Sequence, residues 1–249
     1  MKIEKEISTE SPTIKLLYGN ISIRKLQYIC EIYLNKLDFK FLKFAMPSIL
    51  ASNENSIVFE QDYIRGVTIK DYISNSKQYA TFKHLFNNLL KDVIEFNKTE
   101  FCLDLNLCNF ILSNDSVYLI DFLPPICLNF VKKNYSNNYM GRLFCDKKYG
   151  LIAMLYYYIK GISINSNIDI DIKSKVIIDI IDDFKNEVDC SELKIDIEPF
   201  GLYLKHIFEY LQNKSDKSLR VIKNDSFLLY RKDRLRRSLK LKGPARRRA

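Results

Sequence analysis

Apolar positions recur along this chain in two periods, and the alternation between them lays out its elements. MKIEKEI (1–7) and TIKLLYG (13–19) read as short strands near the start. ISIRKLQYICEIYLNKL (21–37) then places Leu26, Ile29, Tyr33 and Leu37 at helical spacing, with Glu31 beside that stripe. SIVFEQDYIRGVTIKDYI (56–73) predicts a strand, a polar break at Arg65-Gly66 and a helix starting near Thr68. A long helix follows from about Thr81 to Asn97, because Phe82, Leu85, Phe86, Leu89, Leu90, Val93 and Phe96 form a full apolar face.

The next stretch, FCLDLNLCNFILSNDSVYLIDFLPP (101–125), sets three oxygen-bearing side chains among residues that otherwise read as buried strand. NFILS and SVYLIDF predict two strands joined at Asn114-Asp115-Ser116, a turn-type break. A short hairpin brings the start of one strand beside the end of the other, so Asn109 and Asp121 are expected as neighbours, with Asp104 just upstream. Carboxylate and amide oxygens converging at one end of a hairpin suit a hard cation such as Mg²⁺, which keeps several of its waters. Taken one at a time, Asp104 and Asp121 read equally as turn residues capping the hairpin.

Composition narrows the class. The chain has 249 residues, 47% of them hydrophobic, enough to bury a substantial core. Six cysteines are scattered without a CxxC pair, which argues against a zinc ribbon or a disulfide scaffold and for a reducing cytoplasm. Cys102 and Cys108 flank the loop and read as small packed fillers. The charged start, and the lack of any run of eighteen uncharged apolar residues, lead to the expectation of no export and no membrane span. The net charge of +9 is local: residues 231–249 hold ten Lys or Arg and one acid, leaving the rest of the chain neutral. That tail is a candidate polyanion contact acting through counterion release, or a solvated terminus.

LDLNLCNFIL followed by VYLIDF resembles the catalytic-loop and metal-loop pair of the protein-kinase-like fold, D-x-x-x-x-N and then I-D-F. The likeness is greatest to the small-molecule and atypical branch: aminoglycoside phosphotransferases, choline kinases and RIO-like kinases. It implies that Asp104 orients or accepts the proton of an attacking hydroxyl, while Asn109 and Asp121 hold Mg²⁺ on the phosphates of ATP. It also makes Lys15 in TIKLL the strand lysine on the α- and β-phosphates and Glu31 its ion-pair partner. Backbone groups at Glu60, Gln61, Asp62 and Tyr63 become the hinge that reads the adenine edge, with Gly66 just before the first helix of the second lobe. CDKKYGLIAMLYYYIKG (145–161) is similar to the central helix of that lobe, which opens with Asp.

The resemblance, over residues 13–161, therefore implies a bilobal α+β fold. Its parts are an abbreviated β-rich N-lobe (1–64), a mostly helical C-lobe (65–213) and a basic extension (214–249). Three features depart from the family's pattern. No glycine-rich loop precedes Lys15, Cys102-Leu103 stands before the catalytic Asp where the family has His with Arg or Gly, and Leu123 with Pro124-Pro125 replaces the glycine of D-F-G. Beyond residue 161, residues 173–188 and 198–214 predict amphipathic helices; Asp179, Asp182 and Asp183 either lie near a cationic acceptor or face water. His84 and His206 have no second ligand at metal spacing and read as core or surface residues. Two function classes follow. One is a cytoplasmic ATP- and Mg²⁺-dependent phosphotransferase acting on a hydroxyl, most simply of a small molecule. The other is a non-catalytic binder, either a pseudokinase or a nucleic-acid-associating module using the tail.

Overall fold

Ser11 and Pro12 decide the first departure from the expected elements. Ser11 accepts a hydrogen bond from the Ile14 backbone N–H, and Pro12 occupies the first turn, where its missing N–H has no consequence. TIKLLYG is consequently a helix and not a strand: α1 spans Pro12–Tyr18 and buries Ile14, Leu17 and Tyr18, spaced three and four apart. The computed structural model describes residues 1–44, 47–121, 123–133 and 145–188. The helix expected over 198–214, His206, Cys190 and the basic residues 231–249 lie outside them.

The chain is a mixed α+β fold with small sheets. Strand β1 (Lys2–Ser8) pairs antiparallel with β4 (Ser56–Asp62), and β4 pairs on its other side with β3 (Ser48–Ser52), giving the order β1-β4-β3. Register pairs Lys2 with Asp62 and Lys5 with Phe59. Within β1, Ile3, Lys5 and Ile7 share one face and are less exposed than Lys2, Glu4 and Glu6 on the other, as a period of two requires.

A second sheet has the order β2-β8-β7-β5. It joins Leu42–Phe44 (β2), Val67–Thr68 (β5), Phe110–Ser113 (β7) and Ser116–Leu119 (β8). The β7–β8 hairpin turns at Asn114 and Asp115, whose φ values of 46° and 60° are those of a two-residue hairpin turn. The two remaining short strands, β6 (Phe101–Cys102) and β9 (Ile126–Cys127), bracket the loop and hairpin by pairing with each other.

Helix α2 (Ile23–Lys36) buries Leu26, Ile29 and Tyr33 as its stripe predicts, and the Tyr33 ring meets Phe96 and Phe101. Together with β2 against β8, this packs residues 23–44 onto elements that come much later in the chain. Asp92 on α4 (Phe82–Phe96) secures that crossing: its buried carboxylate accepts the backbone N–H groups of Lys40, Phe41 and Leu42 at 3.0, 2.8 and 2.6 Å. Helix α3 covers Ile69–Asn75 and is capped by Thr68.

Helix α5 (Lys147–Ile164) opens with Asp146 as its N-cap, the carboxylate accepting from Tyr149 N–H at 3.0 Å. It is apolar nearly all round, which suits a helix enclosed by others. Gly161 lets it approach α3, since a Cβ there would lie 2.5 Å from Ile73 Cδ1. Asn165, fully buried, ties the two helices by donating to Ile73 and Ser76 carbonyls at 2.9 and 2.8 Å. Helix α6 (Ile170–Glu187) lies against α4, where Asp183 accepts from Asn87 at 2.6 Å and pairs with Lys83 at 3.1 Å. Asp183 thus joins two helices. Among the described residues no helix is long and apolar enough to cross a membrane.

Candidate functional site

The loop LDLNL alternates, and the alternation builds the site. Leu103 and Leu107 are buried and pin the backbone, leaving Asp104 and Asn106 on the other side. Asp104 Oδ1 then accepts from Asn106 N–H at 3.1 Å, and Asn106 Oδ1 accepts from Cys108 N–H at 3.1 Å, starting a short 3₁₀ turn over Leu107–Asn109. Asn109 is buried, and its side-chain amide donates to the Asp104 carbonyl at 3.2 Å. Asp104 and Asn109, five positions apart, are therefore locked to each other.

Hairpin register brings in the third residue. The pairing of Phe110 with Leu119 continues one step, with Ile120 N–H donating to Asn109 O at 2.9 Å. Asp121 follows directly and is about half exposed. Burial pushes the Asp104 carboxyl above the usual carboxylate range, and the negative charge of Asp121 adds to that rise; the hydrogen bonds from Asn106 and Asn109 oppose it. The two carboxyls are near enough to feel each other.

Lys5, which was not among the expected site residues, completes the group. Its ammonium donates to Asp121 Oδ1 at 3.0 Å and to Ile120 O at 2.8 Å, across 116 and 115 positions of sequence. Lys15 lies on helix α1 instead of a strand, half exposed, and pairs with Glu10. The expected Lys15–Glu31 ion pair does not form: Glu31 is exposed on α2 and accepts from Gln27 at 2.9 Å. The signal for Lys5 was present in the alternation of KIEKEIS, which puts it in phase with Ile3 and Ile7 on the inward face.

Glu60, Gln61 and Asp62, expected in a hinge, belong to strand β4, and Lys2 pairs with both Glu60 and Asp62 at 3.3 Å. Tyr63 is exposed and its N–H is taken by Met1 O at 3.0 Å. The break between strands falls later, at residues 63–66, where Gly66 passes Leu112 so closely that a Cβ would sit 2.3 Å from the carbonyl oxygen. Gln61 contributes its side chain instead: it is 2% exposed, and its amide donates to Ile120 O at 3.3 Å, the carbonyl that Lys5 also contacts.

The donor set of Asp104, Asn109 and Asp121 is two carboxylates and an amide. Among the described residues no three His, Cys, Asp or Glu side chains gather as a metal site. Mg²⁺ held by one or two carboxylates, with waters and phosphate oxygens filling the rest, needs no such cluster, so the residue types fit it. Cys102 is buried, and burial pushes its thiol up to about 12, which suits a packed filler and not a nucleophile.

Asp104 also lines a cavity of about 420 Å³ between the loop, α3 and α5, together with Leu105 and the anchoring Leu107. This size is within the range of small-molecule sites. Tyr157 on α5 shares it; burial pushes its phenol up to about 12, with the charge of Asp104 contributing, so it stays protonated at neutral pH. No protein-family model, curated protein or solved structure matches this chain.

Proposed function

We propose that this chain is an ATP- and Mg²⁺-dependent phosphotransferase that phosphorylates a hydroxyl group, with the bilobal protein-kinase-like arrangement as its framework. The observation that carries the reading is the contact of Lys5 with Asp121, next to the interlocked Asp104 and Asn109. A strand lysine, a loop Asp, a loop Asn and a hairpin Asp are the four parts such a site requires, and they come from two segments about a hundred residues apart in sequence, β1 and the stretch 101–121. The small sheet of residues 1–62 before helices α3 to α6 is also in keeping with a short β-rich lobe and a longer helical one. Contacts of residues 23–44 with the later elements would make the junction between lobes broader than a single hinge.

Phosphoryl transfer leaves the protein little covalent work, so placement and charge neutralisation supply most of the rate. Asn109 and Asp121 would hold Mg²⁺, which supplies positive charge to phosphate oxygens. Asp104 receives the proton of the acceptor hydroxyl; its raised affinity for protons moves it toward the best range for a general base. Lys5 supplies a mobile positive charge that Asp121 holds in place until phosphate oxygens compete for it.

The test is a thermal-shift titration with ATP and Mg²⁺, followed by ADP release across a panel of hydroxyl compounds. A magnesium-dependent rise in Tm that Asp121→Asn abolishes is the expected result. No shift at millimolar nucleotide overturns the proposal. A shift without ADP release on any acceptor would identify the non-catalytic binder.

A further inference from the structure

Gln61 carries a polar atom that its surroundings leave unanswered. The side chain is 2% exposed on β4, and its amide nitrogen donates to Ile120 O at 3.3 Å. Its side-chain oxygen, Oε1, is buried with no hydrogen-bond partner among the described residues. Turning the amide over would not help, because two oxygens would then face each other at Ile120. A buried acceptor without a donor is costly, and such an atom in a folded protein calls for a functional account. Lys5 is the donor at hand. The β1–β4 register pairs Ile3 with Gln61 and Lys5 with Phe59, so Lys5 and Gln61 are diagonal neighbours on one face of the sheet. Both side-chain nitrogens bond the same Ile120 oxygen, the ammonium at 2.8 Å.

We infer that Gln61 is the positioning residue for Lys5: its Oε1 receives the ammonium when Asp121 gives it up. The inference deepens the phosphotransferase reading and rests on it for the trigger, Mg²⁺ arriving at Asp121. A divalent cation on that carboxylate competes for the oxygen that Lys5 now contacts and repels the ammonium. Lysine carries its charge on a flexible four-carbon stem, so the acceptors around it decide where that charge sits. Rotation about the terminal torsions of the two side chains brings Nζ to Oε1, since both groups already meet at one carbonyl. There the ammonium stays beside Ile120, at the end of the hairpin where the phosphates arrive, and the amide oxygen gains a charge-assisted hydrogen bond.

The experiment is a double-mutant cycle on the reactivity of Lys5 in the intact chain, which needs neither nucleotide nor metal. Acetic anhydride acylates lysines, and peptide mass spectrometry reads the rate at Lys5 against Lys2 of the same strand. Asp121→Ala withdraws the carboxylate, and Gln61→Met removes Oε1 while keeping a buried side chain of similar length. Each single change should raise Lys5 labelling less than about twofold and the two together more than about tenfold, because only the pair takes away both acceptors. Gln61→Glu in the Asp121→Ala background keeps an oxygen at that place and should restore slow labelling. A double variant whose rate is the product of the two singles overturns the inference. Gln61→Met alone should melt no lower than wild type, since it removes an orphan acceptor while Lys5 still serves the Ile120 carbonyl. A lower melt shows the oxygen already engaged at rest and overturns the inference as well. Nucleotide is read separately: Gln61→Met should weaken apparent ATP–Mg²⁺ affinity about tenfold in the thermal-shift titration, and an undiminished affinity overturns the positioning role. A coupled cycle in a chain with no nucleotide shift keeps the Lys5–Gln61 contact and removes the phosphotransferase reading, whereas an additive cycle with a shift does the reverse.

Discussion

Replacing Lys5 with methionine keeps most of the aliphatic stem and removes the ammonium that touches Asp121 and Ile120. The effects on folding and on chemistry are expected to separate. The Lys5–Asp121 pair joins a lysine side chain 26% exposed to a carboxylate 54% exposed, so solvent screening leaves it worth less than about 1 kcal/mol. The hydrogen bond to the Ile120 carbonyl adds about 1 kcal/mol. Folding stability should thus fall by about 1–2 kcal/mol, a Tm decrease of about 2–8 °C for a chain of this size. Turnover should fall much further, because a charge-assisted hydrogen bond to a transferring phosphate is worth about 1.5–3 kcal/mol, or about 10- to 150-fold in rate. Lys15→Met is the control: its partner Glu10 is exposed, and surface substitutions of this kind stay within about 0.5 kcal/mol. The assay is ADP release at saturating Mg²⁺ alongside thermal melts of the three proteins. A Lys15→Met variant that loses activity while Lys5→Met retains it would refute the assignment of Lys5 to the phosphates.

Asp104→Asn should separate stability from activity in the opposite sense. Because burial raises the folded-state pKa of Asp104, its protonated form is favoured in the fold, and that contribution is lost as pH rises through the folded value. Asparagine keeps an oxygen for the Asn106 N–H, so the variant should melt slightly higher than wild type at neutral pH, with the gap closing in acid, while turnover drops about 10²- to 10⁴-fold. A variant that melts lower at neutral pH would mean that the charge is structurally required. Wild-type turnover should fall on the acid side with a midpoint above the ordinary carboxylate range, in a pH–rate profile. Asp92→Ala should loosen the crossing of residues 40–42, leaving the buried Leu42 N–H and the part-buried N–H groups of Lys40 and Phe41 without their acceptor, at a cost of about 3–5 kcal/mol by urea denaturation. A loss under about 1 kcal/mol would show that water replaces the carboxylate.

Local rules made the loop and hairpin of residues 101–121 legible in advance. Leucine alternation, Asx turns and the Asn114-Asp115 break are near-neighbour effects, written in adjacent residues, and they were enough to bring Asn109 beside the Asp121 strand end. Stripes on α2, α4 and α6 and the Asp that opens α5 were readable on the same ground. The first helix was readable too, from Ser11, Pro12 and the spacing of Ile14, Leu17 and Tyr18, although an apolar run that short also fits a strand. Alternation marks Lys5 as inward-facing, but no such rule says that Lys5 and not Lys15 meets Asp121. Both are lysines in a lysine-rich segment; what separates them is which one the β1–β4 register carries to Asp121, more than a hundred residues away. Periodicity determines which face of an element turns inward, whereas long-range packing decides what that face meets.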